Sequence, residues 1–221
     1  MKVISFSLWG DAPHYNIGAV KNAQLASLHY PDWECWFYLS DNVTQSTVES
    51  LESLDNVKTI PMGKADGFRA LFWRFNAILS DNVDVMICRD CDSRISQREV
   101  EAVIEWEDSK AMVHAMYDHP HHYNYMGQTI LGGMWGAKKG FIDNFEESVC
   151  AVKGNEYGVD YRMFNSIMQN LKDSGIMVHS SHPPPKGWEL ETNPFPTMPT
   201  GPWDFVGAIF DENEEFKLSN F

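Results

Sequence analysis

Residues 83–94 read Val-Asp-Val-Met-Ile-Cys-Arg-Asp-Cys-Asp-Ser-Arg. Val83 to Cys88 is apolar apart from Asp84 and has the length of a strand. Its continuity suits burial on both faces, as in a parallel sheet. Charge begins where the run ends. Residues two apart in an extended chain face the same way, so Asp90 and Asp92 present two carboxylates to one side of a sheet edge. Such a pair repels itself unless a cation or proton lies between. Hard oxygen donors suit Mg²⁺ or Mn²⁺, which complete their shells with phosphate and water. The competing reading is a polar turn whose aspartates cap the next helix.

Upstream, strands and helices alternate. Val3 to Leu8 reads as a buried strand, and Ile17 to His29 carries helical spacing that stops before Pro31. Cys35 to Leu39 and Val57 to Pro61 read as strands, Val43 to Leu54 as a polar helix, and Phe68 to Leu79 as an amphipathic helix. This order predicts an α/β domain whose central sheet is mostly parallel, with helices on both faces. Ligands of such sheets bind beyond the carboxyl ends of the strands, which singles out Trp9 to Tyr15, Ser40 to Asn42 and Arg89 to Arg94.

Downstream the pattern is less regular. Gln97 to Trp106 predicts a helix, Ala111 to Met116 a strand, and Tyr117 to Gln128 a polar, aromatic loop. Thr129 to Ala137 is an apolar run holding Gly132 and Gly133, which suggests a bend or the close approach of a ligand. Phe141 to Val152 and Asp160 to Leu171 predict helices, and Ile176 to His179 a short strand. The proline-rich remainder reads as a tail packed through Trp188, Phe195, Trp203 and Phe210. No linker divides the chain, so 1–221 is expected to form a single domain, with 1–96 as its nucleotide-binding half and 97–221 as acceptor half and tail.

Thirty-one carboxylates against 17 Lys and Arg give a formal charge of −14. No basic stripe is available to displace counterions, so nucleic acid is not the expected partner. If the ligand is anionic, a bound divalent metal would supply the missing positive charge. No stretch approaches the length of a spanning helix and no signal peptide is evident, so a cytoplasmic protein is expected. Cys88 and Cys91 form a C-x-x-C without the second pair of a zinc site or the helix-opening position of a redox motif, and read as two reduced thiols. No G-x-x-x-x-G-K-[ST] and no G-x-G-x-x-G follows a strand, which disfavours P-loop kinases and dinucleotide oxidoreductases.

Other residues join the pair. Arg74, within Phe72-Trp73-Arg74-Phe75, either pairs with an aspartate or phosphate of the site or snorkels over the core. Asp118 follows a strand end, in Tyr117-Asp118-His119-Pro120-His121-His122, whose spacing matches no H-E-x-x-H zinc site. Asp160 opens a helix, either as its N-cap or as a general base orienting an acceptor hydroxyl. His179, ending the last strand, is preferred over His182 as a further metal ligand, and Lys186 as a diphosphate contact.

Together these segments resemble the GT-A glycosyltransferase-like proteins of bacteria and large viruses, distantly similar to glycogenin and the bacterial galactosyltransferases. The matching pieces span nearly the whole chain. They are FSLWG (6–10) with Tyr15 and Asn16 to Ala19, FWRF (72–75), RDCDSRIS (89–96) with Arg98-Glu99, Asp118-His119-Pro120, GGMWG (132–136), GVDYRMFN (158–165), PFPT (194–197) and FVGAIFDEN (205–213). The chain departs from the pattern at Tyr161, where the family often has glutamine, and at Gly187, where proline would stand.

The resemblance implies a single GT-A (Rossmann-like) domain and a nucleotide-diphosphate sugar donor, UDP-linked. It implies Mn²⁺ or Mg²⁺ at Asp90 and Asp92 and a C-terminal histidine as third ligand. The end of the first strand and the loop after it, Ser7, Trp9 and Tyr15, would touch the nucleotide, with Arg74, Asp90 and Lys186. The expected reaction moves the sugar to a carbohydrate or glycoconjugate hydroxyl in glycan synthesis, with Asp160 or Asp118 as base and Arg74 adding charge stabilisation. The alternatives are a nucleotide-sugar hydrolase or nucleotidyltransferase, and a non-catalytic carbohydrate-binding protein.

Overall fold

In β1 (Lys2–Leu8), Ile4, Phe6 and Leu8 enter one apolar core and Val3 the other. The strand is thus buried on both faces, as its sequence predicts. The computed structural model describes residues 1–124, 130–160, 162–164, 175–183 and 190–217. The remaining strands are β2 (Trp33–Ser40), β3 (Val57–Gly63), β4 (Val85–Arg89), β5 (Val113–Tyr117), β6 (Met134–Lys138) and β7 (Ile176–Ser180). They form a seven-stranded sheet in the order β3-β2-β1-β4-β6-β5-β7. β3, β2, β1 and β4 run parallel, β6 is antiparallel to both β4 and β5, and β7 is parallel to β5.

One face of the sheet packs on α1 (Pro13–His29), α2 (Gln45–Glu52) and α3 (Gln97–Asp108) through Ala19, Ala23, Leu51, Val103 and Trp106. Pro13 opens α1, where a missing N–H costs nothing and its φ suits the helix. Thr44 and Ser96 cap α2 and α3, accepting from the N–H of Thr47 and Glu99. Glu99 itself turns inward, accepting from Arg89 Nε at 3.0 Å and from the Tyr30 hydroxyl at 3.3 Å, and so ties α3 to β4.

The other face carries Phe72, Phe75 and Ile78 of the segment Gly67–Leu79 and Phe145 of α5 (Phe145–Ala151). The amphipathic reading of 68–79 is correct in position, but the segment winds as a 3₁₀ helix. Ser5 Oγ donates to Arg74 O at 2.6 Å, Arg74 N–H donates to Ser7 Oγ at 3.0 Å, and Ser7 Oγ donates to Leu71 O at 3.3 Å. Hydroxyls of β1 thus take backbone groups that an α-helix would satisfy internally, which sustains a run longer than this helix type usually reaches.

The expected loop after β5 contains a short helix, α4 (Pro120–Asn124). His122 Nδ1 accepts the N–H groups of Asp118 and His119 at 3.0 and 3.2 Å. Residues 159, 160 and 162–164 are helical as expected; the rest of the predicted helix to Leu171 lies outside the described residues. The tail packs through Phe195, Val206 and Ala208. Trp203 does not serve as expected, being 57% exposed in a turn that carries it off the core; Trp188 lies outside the described residues. All four cysteines are free, as the C-x-x-C reading requires.

Candidate active site

The four parallel strands end on a common edge, and a cleft of about 510 Å³ opens there. The loop from β1 to α1 forms one wall with Trp9, Gly10 and Asp11, joined by Tyr15 from the first turn of α1. The 3₁₀ segment supplies Phe68, Leu71 and Arg74; the turn after β4 supplies Asp90 to Ser93. Leu131 to Met134, with Tyr157, Gly158 and Asp160, close the far side. Gly207, Ile209, His121 and His122 complete it.

The turn 90–93 is held rigidly. Asn22, buried on α1, donates through Nδ2 to Ser93 O at 2.9 Å and accepts the Ile95 N–H at 3.0 Å. Ser93 Oγ donates to Asp90 O at 2.9 Å. From the tail, Phe210 N–H donates to Asp92 O at 2.9 Å, and Ile209 bridges Ser93. Arg94 is committed to Glu214 at 2.8 Å and to Ser93 O at 2.7 Å, which straps the tail across the turn.

Arg74 is the charged centre. Only 3% of its side chain is exposed, with Nη1 at 2.5 Å from Asp90 Oδ1 and Nη2 at 3.4 Å from Asp160 Oδ2. Of its two readings, the aspartate pair is the one realised. Burial raises the Asp160 carboxyl against the lowering influence of Arg74. Asp160 Oδ1 and Arg74 Nε have no hydrogen-bond partner among the described residues. Burial, then the neighbouring Asp90 carboxylate, pushes Asp92 up to about 7. The Tyr15 phenol rises to about 12 from burial, followed by Asp92 and Asp90. Burial drives His122 down to about 3, so its ring is neutral.

Gly132 and Gly133 are where they are because carboxylates lie against them. A Cβ on Gly133 would overlap Asp90 Oδ2, and one on Gly132 would overlap Asp160 Oδ2 and stand 2.7 Å from Arg74 Nη2. Neither glycine has a positive φ, so close approach rather than backbone conformation demands glycine here.

Of the residues singled out from sequence, Ser7, Trp9, Tyr15, Arg74, Asp90, Asp92 and Asp160 line this cleft. Two do not. The Asp118 carboxylate is consumed by Arg98, with Nε to Oδ2 at 2.6 Å and Nη2 to Oδ1 at 2.7 Å, by the Val206 N–H at 2.8 Å and by Ser181 Oγ. It anchors the tail and has no lone pair left for an acceptor proton. His179 is fully buried behind the sheet edge, its Nδ1 at 2.8 Å from His114 Nε2 and its Nε2 at 3.4 Å from Glu105. With both nitrogens so engaged, it does not line the cleft that holds Asp90 and Asp92. His182, the alternative, presents its carbonyl to the Tyr123 hydroxyl at 3.2 Å. Lys186 lies outside the described residues.

Sequence reasoning missed Asn22, Phe68 and Tyr157. Asn22 carries a legible signal: an amide among Ala19, Ala23 and Ala26 on the buried face of a helix must find buried partners. Phe68 and Tyr157 carry none, since only the fold brings them together.

The residues present fit a divalent cation. Asp90 and Asp92 offer hard oxygens on one cleft wall, and their mutual repulsion is relieved by positive charge. Among the described residues no third carboxylate, histidine or cysteine joins them in a ready-made cluster, so phosphate and water would fill the rest of the shell.

No protein-family model and no curated protein matches the chain. Solved structures do. Glucosyl-3-phosphoglycerate synthase from Mycobacterium tuberculosis, in complex with UDP, glucosyl-3-phosphoglycerate and Mn²⁺, is 11% identical with a TM-score of 0.56, over 81% of this chain and 69% of that one. A mannosyltransferase from Pyrobaculum calidifontis, in complex with GDP-Man and Mn²⁺, is 13% identical with a TM-score of 0.55 over 83% of this chain. The chain spans about half of that protein, 54%. Mannosyl-3-phosphoglycerate synthase from Rubrobacter xylanophilus is 11% identical with a TM-score of 0.54, over 82% and 65%. At these identities the likeness is one of fold, and the fold of this chain is that of the GT-A glycosyltransferases.

Proposed function

We propose that the chain is a metal-dependent glycosyltransferase that takes a sugar from a nucleotide diphosphate, UDP by preference, and places it on an acceptor hydroxyl. The observation that carries this reading is the carboxylate pair Asp90 and Asp92 at the end of β4, facing a cleft beside Gly133. The GT-A fold, seen in transferases in complex with Mn²⁺ and UDP or GDP-Man, supports it.

In this reading Asp90 and Asp92 hold Mn²⁺ or Mg²⁺. Such an ion supplies positive charge to the diphosphate, more strongly as that group leaves. Trp9 on the β1–α1 loop and Tyr15 in the first turn of α1 offer ring surface to the nucleoside, and Ser7 fixes Arg74 through its backbone. Arg74 keeps Asp90 and Asp160 in place by charge-assisted hydrogen bonds. Asp160 takes the acceptor side of the cleft and orients the incoming hydroxyl. As the acceptor oxygen bonds to the anomeric carbon, that carbon's bond to the diphosphate oxygen breaks and the hydroxyl proton passes to Asp160 Oδ1, which has no partner among the described residues. Donor contacts thus come chiefly from 1–96, while Gly132, Gly133 and Asp160 come from 97–221. No helix among the described residues is long and apolar enough to cross a membrane.

Calorimetric titration with UDP and GDP, each with and without Mn²⁺, tests the reading. Metal-dependent binding is expected, and Asp92→Ala is expected to abolish it. Equal binding by that variant would refute the site. Release of nucleoside diphosphate only when an acceptor is present separates transfer from the alternatives, hydrolysis and mere carbohydrate binding.

A further inference from the structure

One rim of the cleft carries two aromatic rings that the proposed donor site does not use. Phe68 and Tyr157 meet edge to face at 5.7 Å between centroids, and are 37% and 59% exposed. They come from segments nearly ninety residues apart, and the joint between those segments is built. Arg69 N–H donates to Asn155 Oδ1 at 3.1 Å, and Asn155 Nδ2 donates to Asp66 Oδ1 at 2.9 Å. The Arg69 guanidinium donates to the carbonyls of Val152 and Gly154 at 2.8 and 3.3 Å. These bonds fix the backbone beside the two rings, which stand at 82° to one another and form an angled apolar ledge, with Tyr157 one residue from Gly158 and three from Asp160.

The charge around that ledge limits what it can receive. Among the described residues lining the cleft, Asp11, Asp90, Asp92 and Asp160 face the single guanidinium of Arg74. With all four ionised, as a cation held at Asp90 and Asp92 favours, four negative charges and one positive leave −3. A divalent cation and a donor diphosphate of −2 cancel, so an acceptor arriving second meets the same −3. Arg74 is already shared by two carboxylates, and His122 is neutral, its Nδ1 accepting from backbone N–H groups. Arg69 is committed to carbonyls and lies outside the lining.

Resting on the glycosyl-transfer reading above, we infer that the acceptor is an uncharged pyranoside whose apolar face lies on the Phe68–Tyr157 ledge, and that phosphorylated or carboxylated acceptors are excluded. The hydroxyl at the far edge of such a ring is directed towards Asp160. This sets the chain apart from the synthase of like fold that was solved with glucosyl-3-phosphoglycerate, an anionic product.

The test has two arms on the full chain. The first measures UDP binding with Mn²⁺ by calorimetry. The second follows transfer, with a panel of nucleotide sugars, to methyl β-D-glucopyranoside, methyl β-D-galactopyranoside and methyl α-D-mannopyranoside, and separately to 3-phosphoglycerate. Transfer to at least one neutral glycoside is expected, with none above background to 3-phosphoglycerate. Phe68→Ala and Tyr157→Ala are each expected to raise the glycoside KM by about tenfold, as loss of an aromatic face does. Tyr157→Phe keeps the face and is expected to restore it, while Kd for UDP stays within about twofold in all three. Preference for 3-phosphoglycerate, or an unchanged glycoside KM in both alanine variants, overturns the inference while leaving the donor site standing. Failure of metal-dependent UDP binding overturns the glycosyl-transfer reading and this inference with it.

Discussion

Replacing Gly133 by alanine adds one carbon atom to a backbone that tolerates it, since its φ is not positive. The new Cβ would overlap Asp90 Oδ2 and stand 2.9 Å from Oδ1. To reach ordinary van der Waals contact the carboxylate must retreat by roughly 1.5 Å. A carboxylate and a divalent cation 4 Å apart attract by about 8 kcal/mol at an effective dielectric of 20, and by about 6 kcal/mol at 5.5 Å. The retreat alone therefore weakens a divalent cation held by Asp90 by roughly thirtyfold, before desolvation offsets part of it; if the side chain swings away, the whole attraction is lost. The Arg74 bond at 2.5 Å resists the swing and favours the smaller value. Calorimetric Kd for UDP in the presence of Mn²⁺ reads the effect, and circular dichroism confirms that the variant is folded. A folded Gly133→Ala protein that binds UDP and Mn²⁺ as the parent does would refute the placement of the cation at Asp90.

Three further outcomes are expected. Arg74→Met leaves Asp90 and Asp160 adjacent with no cation between them, and removal of one partner from a buried pair typically costs about 3–5 kcal/mol, read as a lower urea midpoint. Asp118→Asn uncouples Arg98 and Val206 and is expected to lower stability by a few kcal/mol while leaving the pH profile of kcat unmoved; a lost acidic limb would restore Asp118 as the base. Burial holds His114 well below 6.5 and His122 at about 3, so both are neutral in the fold but protonate near 6.5 when unfolded. Their contribution is complete above 6.5 and declines as the pH falls through it, by up to about 1.4 kcal/mol per pH unit for each ring. Asp92, pushed up to about 7, acts in the opposite sense over the same range, so urea midpoints between pH 8 and 5 are compared between the parent and His122→Asn, and equal pH slopes in the two would contradict it.

Local patterns carried the parallel half of the sheet because each of its elements buries a face of one period. The alternation Ile4, Phe6, Leu8 against Val3, Ser5, Ser7 reads directly from the sequence. The placement of Asp90 and Asp92 was legible for the same reason, since strand ends are legible, and that of Tyr15 and Asp160 because helix starts are. What was not legible depends on distant partners. Nothing near Phe68 reveals that hydroxyls from β1 will impose a 3₁₀ winding. The sequence around His179 shows a polar residue ending a strand, and only the pairing of β5 with β7 brings His114 to its ring.

Asp118 and Asp160 show what decides between a structural and a chemical aspartate. Both are buried and each meets an arginine. Asp118 receives Arg98 along two bonds and two further donors, which exhausts its oxygens and explains why the chain can hang its tail there. Asp160 receives Arg74 at 3.4 Å through one oxygen and leaves Oδ1 without a partner among the described residues, beside a cleft. A carboxylate is stable in a protein interior once its lone pairs are filled, and an incompletely filled one is retained at a cost. The cost falls where an acceptor hydroxyl would complete the set, which places the chemistry at Asp160 and leaves Asp118 to hold the wall.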